Sequence, residues 1–323
     1  MRRVILPRSR HGDHGMKRHL ASRPLTAGGT TKAHQHVLIG AESNRARPIV
    51  RTIGLRDIKN ALAEGIADFS AMPSHAVFLC LIYPIVGILL ARLTLGYEVL
   101  PLLFPLAAGF TLLGPFAAIG LYELSRRREQ GLDASWQDAF DVLRSPSRGA
   151  IAALGLLLLT IFAIWIAVAQ AIYVAYFGYE PAASIPHFLD QVLTTPAGRM
   201  LMIVGNLVGF LFALGVLTIS VISFPLLLDR DVGAVEAVLT SVRVVARNPL
   251  MMAIWGLIVA TLLLIGSLPL FFGLAVVVPV LGHSTWHLYR KVVEPDPNPH
   301  QILPRPARSR RYAAQFPAAL FTG

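Results

Sequence analysis

Long apolar stretches fill most of the chain between residues 76 and 289, and they constrain its fold more than any other feature. About 20 apolar residues in a helix suffice to cross the hydrocarbon core of a bilayer. Hydrophobic residues make up 54% of the chain and charged residues 15%, whereas a soluble domain carries about 25% charged residues. A water-soluble fold cannot bury so many continuous apolar runs, so we predict helices that are solvated by lipid.

The apolar stretches divide into six predicted transmembrane helices of an all-α, polytopic membrane protein. The last stretch, residues 250–289, would be about 60 Å long as one helix, roughly twice the bilayer core, so we expect it to fold back near residues 266–269. The predicted spans are residues 76–95, 99–121, 149–177, 200–228, 250–267 and 270–289. They form a transmembrane domain at residues 51–293. The basic extension at 1–50 and the Pro/Arg-rich tail at 294–323 are predicted to be disordered, because they lack hydrophobic periodicity.

Three short amphipathic segments each lead into a proline that precedes a span. The intervals are all 12 positions long, from Ala61 to Pro73, from Ala134 to Pro146 and from Ala237 to Pro249. Ser145 and Asn248 come just before two of these prolines, a position that suits a helix N-cap. The spacing indicates three repeats, each consisting of an amphipathic interfacial helix and a transmembrane hairpin.

Each amphipathic segment carries an apolar stripe. The stripes are Leu55, Ile58, Leu62, Ile66 and Phe69 in the first segment, Trp136, Phe140 and Leu143 in the second, and Val235, Val238, Leu239, Val242 and Val245 in the third. Three interpretations remain open. The stripes lie in the headgroup region of the membrane, or they pack against the helix bundle, or the segments only link the hairpins.

The distribution of Lys and Arg predicts the orientation of the chain. The short loops on one side hold eight of these residues, whereas the other side holds only Arg92 and Arg199. Cationic loops stay in the cytoplasm, so both ends are predicted to be cytoplasmic. The net charge of +11 lies beside apolar spans and no nucleic-acid-binding motif accompanies it. We therefore expect anionic membrane lipids, and not nucleic acid, as the partner of this charge.

Four phrases in the sequence resemble a known family. They are VRTIGLRDI at 50–58, GPFAAIGLYELSRRRE at 114–129, SFPLLLDR at 223–230 and PVLGHSTWHLYRK at 279–291. Together they are similar to domain of unknown function 2189, an uncharacterised bacterial family of predicted integral membrane proteins, over about residues 50–293. The resemblance implies a protein of the bacterial inner membrane. It brings no assigned chemistry, so no site residue is carried over from it.

His283 and His287 are the first candidate site. They lie four residues apart on one helix face, where two imidazoles could bind one metal ion. No acidic or cysteine partner lies in the same helix, and the neighbouring aromatic and basic residues are typical of a membrane interface. We favour anchoring over metal binding. The predicted interfacial anchors are Trp286, Tyr289, Arg290, Lys291, Arg126, Arg127 and Arg128.

Polar and small residues within the spans are candidates for helix packing. Gly205 and Gly209 form a GxxxG pattern that allows close helix contact, either within the chain or with a second copy or another membrane protein. Asn206 and Gln170 carry amides that need hydrogen-bond partners in lipid. Pairing between helices is the favoured interpretation, and the lining of a polar cavity is the alternative.

These features favour a non-catalytic membrane protein, either a scaffold, an assembly factor or a lipid-interacting protein, without a cofactor. No Asp, Glu or Lys lies in the middle of a predicted span, although ion-coupled transporters usually need such groups there. The first alternative is a transporter or channel for a small solute. The second is a membrane enzyme that depends on a metal at His283 and His287.

The predicted orientation can be tested with reporter fusions. A reporter placed after Tyr97, or within residues 180–195, is expected to lie in the periplasm. Reporters placed after Gln130 or Arg243 are expected to be cytoplasmic, because these loops carry the excess of cations. Reversed activities in the short loops would contradict this orientation.

Overall fold

The computed structural model describes residues 47–72, 85, 105, 106, 114, 118–179, 184–269 and 271–295. Residues 1–46 and 296–323 of the two predicted disordered ends, and almost all of the first two predicted spans, lie outside the described residues. Within the described part, the chain forms nine α-helices and one 3-10 helix. The helices are α1 (Leu55–Ala71), α2 (Ile119–Glu129), the 3-10 helix (Trp136–Arg144), α3 (Arg148–Phe177), α4 (Ile185–Thr194), α5 (Pro196–Ser220), α6 (Ser223–Asp229), α7 (Ala234–Arg247), α8 (Pro249–Ser267) and α9 (Leu274–Val292).

Three helical stretches are long and apolar enough to cross a membrane: Arg148–Phe177, Pro196–Asp229 and Pro249–Ser267. They coincide with the spans predicted at 149–177, 200–228 and 250–267. In the most apolar 18-residue stretch of each helix, only 17 to 33% is buried inside the protein. Large apolar side chains therefore face outward along these helices, as they do where lipid is the solvent. The all-α membrane fold with three candidate spans is thus observed, and the arrangement of six spans in three repeats stays a prediction.

The starts of the spans follow local capping. Helix α5 begins at Pro196, four residues earlier than predicted, because the Thr195 hydroxyl accepts a hydrogen bond from the Gly198 N–H at 3.0 Å and proline suits the first turn. Asn248 occupies the N-cap position of α8, as expected. The expectation for Ser145 is wrong, because α3 begins only at Arg148 and its N-cap residue is Ser147.

Helix α9 differs from the three spans. It was predicted as a sixth span at 270–289, but it runs from Leu274 to Val292 and is not among the candidate spans of the described residues. Its second half carries two histidines and ends in Arg290 and Lys291. It is mostly buried, because it packs against α1, α2, α6 and α8. Helix α9 therefore lies at the centre of the described bundle, and its role as a sixth span stays a prediction.

The buried core lies where the polar ends of the helices meet. Its largest side chains that are almost fully buried include Trp286 and Tyr289 of α9, Phe224 of α6 and Leu121 of α2. Both ends of the described domain join here. Val50 forms an antiparallel bridge with Val293, and the Arg51 N–H donates to the Val292 carbonyl at 2.7 Å. We call this end of the bundle the polar junction.

The three amphipathic segments pack around the polar junction in a related way. The 3-10 helix packs against α2 and α7 packs against α6, in each case the helix that precedes it in the chain. Helix α1 packs against α9, the last helix of the described chain. Each segment thus covers the polar end of one helix, and the contact between α1 and α9 joins the first and last helices of the described chain.

Helices α1 and α9 approach each other closely at Gly65. A β-carbon added at Gly65 would come within 2.7 Å of the Ser284 Cα, so a larger residue has no room. Ala61, one turn earlier on the same face, is fully buried. Two small residues four positions apart let the helix backbones approach, as in a GxxxG pair. The sequence interpretation placed this kind of contact at Gly205 and Gly209 and did not find it here.

Substitution of Gly65 tests this contact. Gly65→Ala is expected to destabilise the folded protein by about 1–3 kcal/mol, because the added methyl group overlaps the backbone of α9. The measurement is thermal or denaturant unfolding of the full-length protein in detergent. Gly205→Ala is the matched control, because a β-carbon at Gly205 would meet no atom within 4 Å. Equal losses of stability in the two variants would contradict the close approach.

Candidate functional site

A cluster of polar side chains from three helices lies inside the polar junction. Asp68 of α1 is at its centre, and its Oδ2 accepts a hydrogen bond from the Ser125 hydroxyl of α2 at 2.6 Å. The Nε2 atom of His287 lies 2.8 Å from the same oxygen. On the other carboxylate oxygen, the Arg128 Nη1 donates at 2.7 Å. Asp68 therefore links α1 to both α2 and α9.

His283 extends this cluster into the protein interior. Its side chain is fully buried, and its Nδ1 lies 2.7 Å from the Ser125 Oγ. Because the single hydroxyl proton of Ser125 is donated to Asp68, the Nδ1 of His283 must carry the proton that it shares with Ser125. The Nε2 atom is buried and lacks a hydrogen-bond partner among the described residues.

His287 lies between two carboxylates of α1. Its Nε2 is 2.8 Å from Asp68 and its Nδ1 is 3.2 Å from Glu64. Lys291 adds a cation, 2.9 Å from Glu64. These contacts join the polar face of α1 to α9.

The environment of Asp68 favours its charged form. Burial works to raise the pKa of this carboxyl, but hydrogen bonds from His287 and Ser125 and the charges of the histidines outweigh it, so the pKa lies below the usual 3.8. Asp68 therefore remains ionised at neutral pH, and its stabilising contacts are fully present there. They are lost only as the pH falls through this lowered pKa.

The three consecutive arginines of α2 each contact a different element. The Arg126 Nη1 donates to the Leu228 carbonyl of α6 at 2.6 Å. Arg128 contacts Asp68 of α1, as described above. Arg127 is the most buried of the three at 8% exposure, and its guanidinium makes ion pairs with Glu123 (2.9 Å), Asp138 (3.3 Å) and Asp141 (2.7 Å). These residues were predicted as interfacial anchors, and the structure places them in contacts within the protein.

Glu123 illustrates the cost of this burial. The carboxyl is 1% exposed and lies 2.6 Å from Arg126 and 2.9 Å from Arg127. Its pKa is nevertheless raised above the ordinary value, because desolvation outweighs the two cations. A buried carboxylate of this kind requires its arginine partners, since removal of one partner leaves an uncompensated charge.

The other predicted anchors, on α9, also lie within the bundle. Trp286 is fully buried and donates through Nε1 to Glu129 at 3.0 Å, and the Tyr289 hydroxyl donates to Asp229 at 2.5 Å. Arg290 lies between the same two carboxylates, at 2.9 Å from Glu129 and 3.5 Å from Asp229. These side chains join α9 to α2 and α6. Their role as interfacial anchors stays a prediction.

The predicted packing residues of the spans are not brought together. Gly209 contacts α3, since an added β-carbon would lie 3.0 Å from the Trp165 ring, whereas Gly205 faces open space. Asn206 is exposed, and its amide donates to the Met202 carbonyl of its own helix at 2.7 Å. Gln170 is exposed on α3. The predicted pairing between helices through these amides stays a prediction.

The metal hypothesis at His283 and His287 gains no further ligands from the fold. Among the described residues, no group of three or more His, Cys, Asp or Glu side chains has an arrangement that could hold a metal ion. Instead, His283 contacts Ser125 and His287 contacts two carboxylates of α1.

The outer faces of two amphipathic segments form a second candidate site. On the 3-10 helix, the whole predicted stripe is exposed: Trp136 at 39%, Phe140 at 51% and Leu143 at 69%. On α7, the exposed side chains include Val235, Leu239 and Val242. The buried face of α7 consists of Ala237, Thr240, Ser241 and Val244. Large apolar groups thus face outward and smaller, partly polar ones face inward, which is the reverse of a water-soluble helix.

Helix α1 behaves differently from the other two segments. Leu55 and Ile66 of its stripe are exposed, but Ile58 is buried against the core. The face in contact with α9 consists of Ile58, Ala61, Gly65 and Asp68. The stripes of the segments therefore differ: α1 packs against the bundle over part of its stripe, whereas the 3-10 helix and α7 turn theirs outward.

Sequence reasoning missed the roles of Asp68 and Ser125, and it predicted Asn248 only as an N-cap residue. Asn248 is 4% exposed, and its side chain accepts from the Ile53 N–H at 2.9 Å and donates to the Arg51 carbonyl at 3.1 Å. Asp68 is not part of the apolar stripe predicted for α1. One signal of its role was available: Asp68 follows Glu64 by four residues and lies on the helix face that also holds the small residues Ala61 and Gly65.

The fold and the polar junction define a class of protein: an all-α integral membrane protein whose helices meet in a buried polar network at one end. Residues 103–229 match the model of a family described as predicted integral membrane protein (DUF2189). The predicted resemblance is confirmed over this range, which contains the phrase at 114–129 and nearly all of that at 223–230. No curated protein and no solved structure shows a significant match to the chain. The chain is thus an integral membrane protein similar over this range to a family whose description assigns no biochemical role.

The polar junction can be tested by removing its most buried cation. Arg127→Gln is expected to destabilise the protein by about 3–5 kcal/mol, because the buried carboxylates of Glu123 and Asp138 then lose this cation. The measurement is denaturant unfolding in detergent. Arg144→Gln is the control: Arg144 also pairs with Asp141, at 3.3 Å, but its side chain is 78% exposed. A change of at most about 1 kcal/mol is expected for it. Similar effects for both variants would show that burial does not determine the strength of these pairs.

Proposed function

We propose that the protein is a non-catalytic scaffold of the bacterial inner membrane that binds the headgroup region of the bilayer through its amphipathic segments. The observation that carries the proposal is the outward apolar face of the 3-10 helix and α7. These faces belong to segments that directly precede the candidate spans α3 and α8. A helix that leads into a span lies at the level of the headgroups, where an apolar face enters the lipid.

The aromatic residues of the 3-10 helix support this assignment. Trp136 and Phe140 form an edge-to-face pair with ring centroids 6.2 Å apart on the exposed face. Aromatic side chains, and tryptophan above all, prefer the interface between water and hydrocarbon. On this segment the aromatic pair lies beside Leu143, so that one side of the helix offers a continuous apolar surface to lipid.

Unpaired cations near the same segments supply charge for anionic lipid. Within the described residues, no carboxylate lies within ion-pair distance of Arg56, Lys59, Arg148 or Arg247, all of which are exposed. A cation close to the surface of an anionic membrane contributes about 1 kcal/mol to binding. These charges therefore favour attachment of the amphipathic segments to the inner leaflet. We propose with it that both chain ends lie on the cytoplasmic side and that the protein has six spans in three repeats.

A transporter is less well supported than a scaffold. In the described spans, Arg148 and Arg199 lie near the helix starts, and Asp229 lies at the end of the second span. The middle of each described span has no Asp, Glu, Lys or Arg. The ionisable groups of the polar junction are largely paired with one another, as structural networks are. Proton- and ion-coupled transport usually depends on ionisable groups at mid-membrane depth.

The Ser125, His283 and Asp68 cluster would be the centre of a membrane enzyme, but its geometry argues against hydrolysis. In a catalytic triad the histidine stands between the nucleophile and the carboxylate. Here the Ser125 hydroxyl bonds directly to Asp68, and the serine side chain is fully buried. A substrate cannot reach this oxygen without separation of α1 from α9. We therefore assign the cluster a structural role.

Site-specific labelling tests the interfacial assignment. In a Cys80→Ser background, which removes the single cysteine, cysteines introduced at Phe140 and Leu239 are labelled with an environment-sensitive fluorophore in lipid nanodiscs. A blue shift and quenching by nitroxide-labelled lipid are expected at both positions, because their side chains enter the bilayer interface.

The control label is placed at Gln130, an exposed polar position that follows α2. It is expected to report water and to be quenched only by a soluble quencher. Water-like spectra at Phe140 and Leu239 would refute the proposed membrane contact, whether or not the protein is correctly inserted.

A further inference from the structure

A groove lies between the first described residues and the second half of α7. It is lined by Pro48, Val50, Arg243, Ala246 and Arg247. The groove therefore has an apolar floor and a cationic rim. It opens beside the exposed side chains of Leu239 and Val242, which belong to the outward face of α7.

The floor of the groove is fixed by hydrogen bonds. Val50 is held by its bridge to Val293, and the Glu294 N–H donates to the Ile49 carbonyl at 2.9 Å. The buried side chain of Asn248 ties Arg51 and Ile53 to the end of α7. The segment at 48–53 is therefore attached to both neighbouring elements, so the two walls of the groove keep a fixed separation.

The two arginines of the rim differ in how far neighbouring groups neutralise their positive charge. Arg243 contacts Glu236 and Thr240 of its own helix, which leaves its charge largely neutralised. Arg247 donates through Nε to the Thr52 hydroxyl at 3.1 Å, and no carboxylate among the described residues pairs with it. The contact with Thr52 orients the guanidinium, and no described residue pairs with its terminal nitrogens. A free guanidinium edge matches two oxygens of a phosphate group.

The position of Arg247 along the chain identifies the source of the phosphate. Arg247 ends α7, and the candidate span α8 begins two residues later at Pro249. Leu250, the next residue of the span, is 67% exposed. The guanidinium therefore lies within about one helical turn of the level at which the hydrocarbon begins, which is where lipid phosphates are found.

We propose that this groove binds the phosphate of an anionic phospholipid, with Arg247 as its principal donor and Leu239, Val242 and Leu250 in contact with the acyl chains. The proposal rests on the proposed function, since it names the lipid class that the amphipathic face of α7 meets. It goes beyond general attraction to an anionic surface, because it predicts a single position at which one arginine matters more than others of equal exposure.

The test compares Arg247→Gln with Arg148→Gln. Arg148 is the matched control, because it is an exposed arginine with no carboxylate partner among the described residues, it begins another candidate span, α3, and it does not line the groove. Binding of phosphatidylglycerol and of phosphatidylcholine to the full-length protein in detergent is measured by native mass spectrometry. Arg247→Gln is expected to weaken phosphatidylglycerol binding by about fivefold or more, whereas Arg148→Gln changes it by less than about twofold. Phosphatidylcholine binding is expected to remain equal in all three proteins.

A third variant separates charge from geometry. Arg247→Lys keeps the charge but cannot present two parallel donors, so it is expected to bind phosphatidylglycerol more tightly than Arg247→Gln and less tightly than the wild-type protein. Equal effects of Arg247→Gln and Arg148→Gln would overturn the groove assignment. Binding of inorganic phosphate as tight as that of phosphatidylglycerol would show a free-phosphate site and overturn the lipid assignment.

The outcome is independent of the labelling experiment on Phe140 and Leu239. Water-exposed labels together with a specific effect of Arg247→Gln would refute the interfacial scaffold and the acyl contact of Leu239, and would retain the groove as a site for the lipid phosphate. Lipid-exposed labels without a specific effect of Arg247→Gln would retain the scaffold and refute the groove.

Discussion

Three consecutive arginines at the end of α2 hold the polar junction together. Successive residues of an α-helix point about 100° apart, so Arg126, Arg127 and Arg128 extend in three directions. One contacts α6, the next contacts the 3-10 helix, and the third contacts α1. Attraction to anionic lipid is therefore only part of the role of these cationic residues. These cations also neutralise carboxylates that would otherwise be too costly to bury.

The described residues form two environments, one with apolar side chains exposed and one with charged side chains buried. Along α3, α5 and α8 the exposed side chains are large and apolar, since lipid is their solvent. In the polar junction, charged groups are buried and paired, as in the interior of a soluble domain. Helix α7 lies where the two meet. Its inner face has small and hydroxyl-bearing side chains that allow close packing, and its outer face has valine and leucine.

The sequence predicted well those features that depend on local properties. The spans at 149–177 and 250–267 were found to within one residue, because length and hydropathy suffice to identify a membrane helix. The boundary at Ser145 was wrong, since the 3-10 helix and the turn after it extend to Ser147. Contacts between distant segments could not be predicted. Asp68 and Ser125 are 57 positions apart, and Ser125 and His283 are 158 positions apart. A single sequence holds no signal that pairs them.

The bridge between Val50 and Val293 places the two ends of the described domain side by side. The order in which the helices are connected is therefore not required by the packing itself. A short linker between these two positions, with new ends opened in the loop between α2 and the 3-10 helix, would give a circularly permuted chain with the same contacts. In such a chain, the pairing of α1 with α9 would join neighbours in sequence rather than the first and last elements, and the entropy lost in closing that long loop would fall.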